Sequence, residues 1–303
     1  MTSKYSDFIK NMPKLDNFKY WFKWTHDGLD IIDCDTWQKV GHTDAAGTSI
    51  DDGDALLSYE MFAQRPEYIV GRGFEGVPQE GVLPLENFKL DYELALLGCS
   101  LIRNQSKATS FDQLKESDNV ISFFERCIGW IESTDFFIAP ASRGYHGSFT
   151  GGLLCHCLDV CNNIITLWRT GLFQQQAGDT SLDSAIMCAL VHDWCKIGLY
   201  ESYMRNVKNE QTGKWDKVPA FKYSDESAFV FGHGVSSMFL AGKFFKLTVE
   251  ESLAIRWHMG RWQVGNCEES ELQQSNQRYP LVYLLQFADQ LSCTKYANQW
   301  LPS

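Results

Sequence analysis

The chain has 303 residues, 44% of them hydrophobic and 21% charged, with a formal net charge of −11. That length allows a large core, or one main domain with an appendage, and the composition is that of an ordinary globular protein. The acidic balance argues against gripping long duplex nucleic acid, which needs dense Lys and Arg to displace counterions, but a bound cation can still attract a small anion.

The first residues, Met1-Thr-Ser-Lys-Tyr-Ser-Asp, lack the apolar core of a secretory signal, and no uncharged apolar run reaches the length of a membrane helix. The expectation is a cytoplasmic protein with no membrane partner. Its ten cysteines should then be reduced. Cys155, Cys157 and Cys161 lie close together, but no CxxC pair occurs, so most cysteines read as small buried hydrophobes.

In chain order, residues 1–90 form a region of unassigned fold, mixed and loop-rich. Apolar runs such as Leu29-Asp-Ile-Ile and Glu67-Tyr-Ile-Val stand between turn formers and predict short strands. Residues 91–303 read as mainly α. Apolar spacing of three and four predicts helices over Tyr92–Arg103 and Asn119–Glu132. A stripe of Leu154, Leu158, Cys161, Ile165 and Trp168 predicts another, closed by Gly171. Leu182–His192 is a mostly apolar helix. Tyr200–Tyr223 alternates polar and apolar residues around Asn209-Glu-Gln-Thr-Gly213 and predicts a β-hairpin flap. Helix is expected again from near Ser224 to about Lys246. Thr248-Val-Glu-Glu251 is a capping box opening a helix that carries Trp257 and His258, and Pro280 starts a last helix carrying Asp289.

Five of the seven histidines fall between residues 146 and 258. His156 lies near the start of its helix, His192-Asp193 ends an apolar helix, His233 sits in Phe231-Gly-His-Gly234, and His258 follows Trp257. A lone helical histidine is ordinarily a half-buried, hydrogen-bonded residue. Asp289 is different, because an unpaired carboxylate in an apolar helix costs several kcal/mol and calls for a cation. Imidazole nitrogen with carboxylate oxygen suits divalent Mn, Fe, Co, Ni or Zn. On a continuous helix His192 and Asp193 would point about 100° apart and both reach a cleft. Lys196, four residues after His192, would present its ammonium on the same face.

The order His156, His192-Asp193, Asp289 resembles the HD superfamily of metal-dependent phosphohydrolases, which are helical bundles. Thr134-Asp-Phe-Phe-Ile-Ala-Pro-Ala-Ser-Arg-Gly-Tyr-His146 followed by Gly151-Gly-Leu-Leu-Cys-His156 is similar to a bacterial branch that includes HD-type exoribonucleases. The resemblance covers about residues 115–295. It implies one divalent ion on His156, His192, Asp193 and Asp289, and a second on His233 and His258 with Asp193 bridging; Mg joins the candidate metals. It further implies Asp193 and Lys196 as catalytic groups, and a small phosphorylated substrate, a nucleotide or short oligonucleotide, cleaved at a phosphate ester and more plausibly a phosphodiester. His146, Lys196 and Arg205 are the candidate substrate contacts. Other readings are an HD-like diiron oxygenase and a non-catalytic nucleotide-binding sensor. Residues 1–90 are open to roles in gating, pocket shaping or assembly into a homo-oligomer.

The flap carries Arg205, Lys208, Lys214, Lys217 and Lys222, which could steer a phosphate, but interspersed Glu201, Glu210 and Asp216 favour an ordinary solvated hairpin. Gly71-Arg-Gly-Phe-Glu-Gly76 matches a dinucleotide fingerprint, but Val77-Pro78 and Pro84 break the helix it requires. His26-Asp27 has no apolar helix around it, Asp51-Asp-Gly-Asp54 lacks calcium-loop spacing, and Tyr20-Trp-Phe-Lys-Trp24 reads as aromatic core rather than a base-stacking surface.

Overall fold

The computed structural model describes residues 20–25, 28–33, 39–43, 89, 92–93, 95–96, 99–100, 118–170, 173, 180–225, 231–265 and 268–295, the first three stretches as backbone. Strands β1 (Tyr20–Thr25), β2 (Gly28–Asp33) and β3 (Lys39–Thr43) form an antiparallel sheet in that order, with β2 carrying the expected Leu29–Ile32 strand. Glu67–Val70, Gly71–Gly76, Asp51–Asp54, His26-Asp27 and Gly171 lie outside the described residues.

The rest is mainly helical. α1 is Asp118–Glu132, α2 Gly152–Arg169, α3 Leu182–Val191, α4 His233–Gly242, α5 Val249–Trp257, α6 Glu269–Arg278 and α7 Pro280–Lys295. Described positions between 92 and 100 are helical too, with Tyr92, Leu96 and Cys99 in the core. The capping box at α5 and the start at Pro280 are as expected. One expectation is corrected. Ser224 and Asp225 are not helical, residues 226–230 lie outside the described residues, and α4 begins at His233 behind Gly232, whose φ of 78° lies outside the helical region. α6, whose polar sequence carries little periodic signal, was not anticipated.

From Ala185 to Val191 α3 is apolar all round and fully covered, so it forms the centre. α2 and α5 pack on α3, α7 packs on α2, α3 and α5, and α4 packs on α5. No helix among the described residues is long and apolar enough to cross a membrane.

The starts of α3, α5 and α7 are clasped at one end by two neighbouring carboxylates. Glu251 accepts from the Thr248 backbone N–H at 2.7 Å and from the Ser184 hydroxyl at 2.7 Å, while the Thr248 hydroxyl accepts from Glu251 N–H. Glu250 accepts from the Thr180 hydroxyl and from Leu281 N–H at the start of α7. From this common origin the three helices run to His192, His258 and Asp289, each about eight residues or roughly 12 Å further on. Equal lengths from one clasp bring three chemical groups to one level.

The cysteines behave as expected. Seven of the eight described are buried, and burial pushes the Cys127 and Cys155 thiols up to about 12.

Replacing Glu251 by Ala removes both the capping box and the bond to Ser184. The expected loss is about 2 kcal/mol, read as a lower urea midpoint with unchanged slope. An unchanged midpoint would show that the clasp does not hold the helices.

Candidate metal centre

Six side chains predicted as ligands meet at the far end of these helices: His156, His192, Asp193, His233, His258 and Asp289. Three overlapping groups, His156–His192–Asp193, His192–His258–Asp289 and Asp193–His233–His258, each keep their donor atoms within 4.8 Å of one another. All but His233 are buried, and His233 is half-buried. Such buried His/Asp groups can hold a metal ion.

Each imidazole is aimed by its backbone. His192 is the C-cap of α3 and His258 the C-cap of α5, and each places Nδ1 at 2.7 Å from the carbonyl three residues earlier, Ala189 and Ile255. Nδ1 must donate there, which leaves Nε2 as a lone-pair donor facing the cluster. His258 Nε2 is buried and, among the described residues, has no hydrogen-bond partner, with Asp193 Oδ1 at 3.5 Å. That is the vacancy in bonding that a cation would fill. His156, five positions into α2, sets Nδ1 at 3.0 Å from the buried Ser292 hydroxyl.

Asp193 is not on a continuous helix, so the expected 100° separation from His192 does not apply. The backbone leaves α3 at His192, Asp193 takes φ −110° and ψ 17°, and a 3₁₀ turn follows over Trp194–Lys196. The turn is anchored by Trp194, wholly buried and donating to the Tyr92 hydroxyl, and by Cys195 N–H donating to Ser237 of α4.

The bend spreads the two Asp193 oxygens between two pairs of histidines. Oδ2 lies 3.1 Å from His156 Nε2 and 3.4 Å from His192 Nε2; Oδ1 lies 2.6 Å from His233 Nε2 and 3.5 Å from His258 Nε2. Asp289 Oδ1 stands 3.2 Å from His156 and 3.9 Å from His192. His258 also groups with His192 and Asp289, so the halves interlock more than the expected division of ligands implied.

The charges balance internally. Burial opposes ionisation of Asp193, but the Lys196 ammonium and the neighbouring imidazoles hold its carboxyl well below the usual range. Asp289 is likewise lowered against its burial, by His156 first. Burial alone would lower His156, yet its bonds to Asp193 and Asp289 raise it to about 9. Lys196, buried with Nζ 2.6 Å from Asp193 Oδ2, stays charged. Here it pairs with Asp193.

The candidate substrate contacts divide. His146 belongs to the rim: its ring lies 5.1 Å from that of His156, and its Nε2 is 3.5 Å from Cys293 Sγ. Burial lowers it to about 3, so it is neutral at ordinary pH. Arg205 is exposed on the hairpin and, among the described residues, makes no ion pair with the cluster. Ser292 and Cys293 were missed, although they stand three and four residues after Asp289 and therefore on its helix face.

Comparison with known protein families, with curated proteins and with solved structures finds no match to this chain.

A cation must displace the His156 proton below about pH 9. Metal affinity of the stripped protein should therefore rise about tenfold per pH unit from neutrality and level off above that value, as read by calorimetric titration. A flat profile would show that His156 is not displaced. Separately, a Cβ at Gly234 would meet the Arg256 carbonyl at 2.0 Å. Gly234→Ala should push α4 off α5, draw His233 away from Asp193 and weaken metal binding with helical circular dichroism unchanged.

Proposed function

We propose that this chain is a metal-dependent phosphohydrolase of the HD type, a helical bundle that cleaves a phosphate ester, and more specifically a phosphodiester, of a nucleotide or short oligonucleotide. The observation that carries the reading is the division of the Asp193 carboxylate, one oxygen toward His156 and His192 and the other toward His233 and His258. A carboxylate so placed, between two pairs of imidazoles, would suit two adjacent divalent ions. When bound, such ions supply Lewis-acid polarisation of a phosphoryl oxygen and an acidified water.

The chain's own residues do the rest. Backbone carbonyls of Ala189 and Ile255 and the Ser292 hydroxyl hold three imidazoles in orientation, so little reorganisation is needed on binding. Lys196 carries a fixed positive charge beside Asp193; once a cation takes over that carboxylate, the ammonium is free to meet an anionic oxygen. His146, uncharged at the rim, offers a neutral N–H to a substrate oxygen rather than a proton.

Stripped protein reconstituted with Mn, Fe, Co, Ni, Zn or Mg should hydrolyse bis(p-nitrophenyl) phosphate and members of a panel of nucleotides, cyclic dinucleotides and short oligonucleotides under anaerobic conditions. Asp193→Ala should reduce turnover by more than about a hundredfold, the upper end for groups that only support a ligand. Oxygen consumption without phosphate-ester cleavage would instead make the chain an oxygenase using the same donors. Full biological activity in Asp193→Ala would make it a binding module.

A further inference from the structure

Strands β4 (Tyr200–Lys208) and β5 (Trp215–Tyr223) pair in unbroken antiparallel register, from Tyr200 opposite Tyr223 to Lys208 opposite Trp215. Opposed residues share a face and successive residues alternate. One face therefore carries Tyr200 and Tyr223, Ser202 and Phe221, Met204 and Pro219, Asn206 and Lys217, Lys208 and Trp215. The other carries Glu201 with Lys222, Tyr203, Arg205, Val207 and Asp216.

Acids and bases that alternate along the sequence are thus sorted by the pleat. Both strand carboxylates lie on the second face, Glu201 ion-paired with Lys222 and Asp216 accepting from the Asn209 amide. The first face has two lysines, no acid, and a run of aromatic surface. Trp215 is 68% exposed and Tyr223 50% exposed, far more than packing aromatics would be.

This face starts at the metal cluster. Only Ile197, Gly198 and Leu199 separate Tyr200 from the Lys196 turn, and Ser224 N–H donates to Leu199 O to close the hairpin base. Tyr200 stacks on Tyr223 with centroids 5.5 Å apart, and the Arg143 guanidinium sits 5.4 Å over the Tyr223 ring. Arg143 belongs to the loop that sets His146 against His156. An exposed aromatic with a cation beside it, at the base and again at the tip, matches what a flexible polyanion with flat bases requires.

We propose that this face of the hairpin is a track for a single-stranded oligonucleotide, its bases stacking on Tyr223 and Trp215 and its phosphates meeting Arg143, Lys217 and Lys208. Delivery of a scissile phosphodiester to the cluster rests on the phosphohydrolase reading; binding to the track does not. A lone mononucleotide would reach the cluster without touching Trp215.

Binding is measured on the full chain in EDTA, by anisotropy of a fluorescein-labelled unstructured strand of about ten nucleotides. Trp215→Ala should weaken it about tenfold, whereas Tyr203→Ala, an aromatic removed from the opposite face, should leave it unchanged. Lys208→Gln/Lys217→Gln should flatten the slope of log K against log salt by about 1.4. Equal loss from Tyr203→Ala, no loss from Trp215→Ala, no binding by the wild type, or heparin competing as well as an unlabelled strand would each overturn the track. With metal present, Trp215→Ala should slow oligonucleotide cleavage about tenfold and spare bis(p-nitrophenyl) phosphate. A wild-type protein inert toward that small diester but binding the strand through Trp215 would sink the phosphohydrolase reading and keep the track.

Discussion

A carboxylate sealed from water must find positive charge or lose its own, and Asp193 is the group on which the helical part of this protein turns. It is 1% exposed, touches four imidazoles and an ammonium, and stays ionised against the penalty of burial. Lys196 and a protonated His156 balance Asp193 and Asp289 when no cation is bound. Those two positive charges are also what a cation would displace or free, so the arrangement that keeps the core intact is the one that readies it to bind.

Geometry at the cluster is set from the opposite end of the bundle. Glu250 and Glu251 tie together the first turns of α3, α5 and α7, and rigid helices carry that alignment to His192, His258 and Asp289. The remaining ligands arrive from the other direction, His156 and His233 near the starts of α2 and α4. Gly234 lets α4 approach the Arg256 carbonyl closely enough for His233 to reach Asp193. Precision at the site thus derives from packing and capping at a distance.

Much of this was legible in the residues. Asp289 in an apolar run, His192-Asp193 closing an apolar helix and a capping box ahead of His258 each express a local conflict or signal, and all six expected side chains do converge. The 3₁₀ turn after His192 was not legible: helical propensity says nothing about a turn that Trp194 secures by packing against Tyr92 and Trp130 from distant segments. Ser292 was readable in principle from its spacing to Asp289, but a serine bears no signal until its imidazole partner is known. The hairpin illustrates a different limit. In one dimension Glu201 and Asp216 dilute the lysines, and only the cross-strand register shows that they occupy the other face.

The proposal that two cations flank Asp193 is tested most directly by anomalous X-ray scattering from crystals soaked in manganese, which needs no assumption about substrate. The account predicts two peaks roughly 3.5–4 Å apart, one bonded to the oxygen facing His156 and His192, the other to the oxygen facing His233 and His258. A site that takes no ion at saturating manganese, or one ion that leaves His233 and His258 unligated, would contradict it.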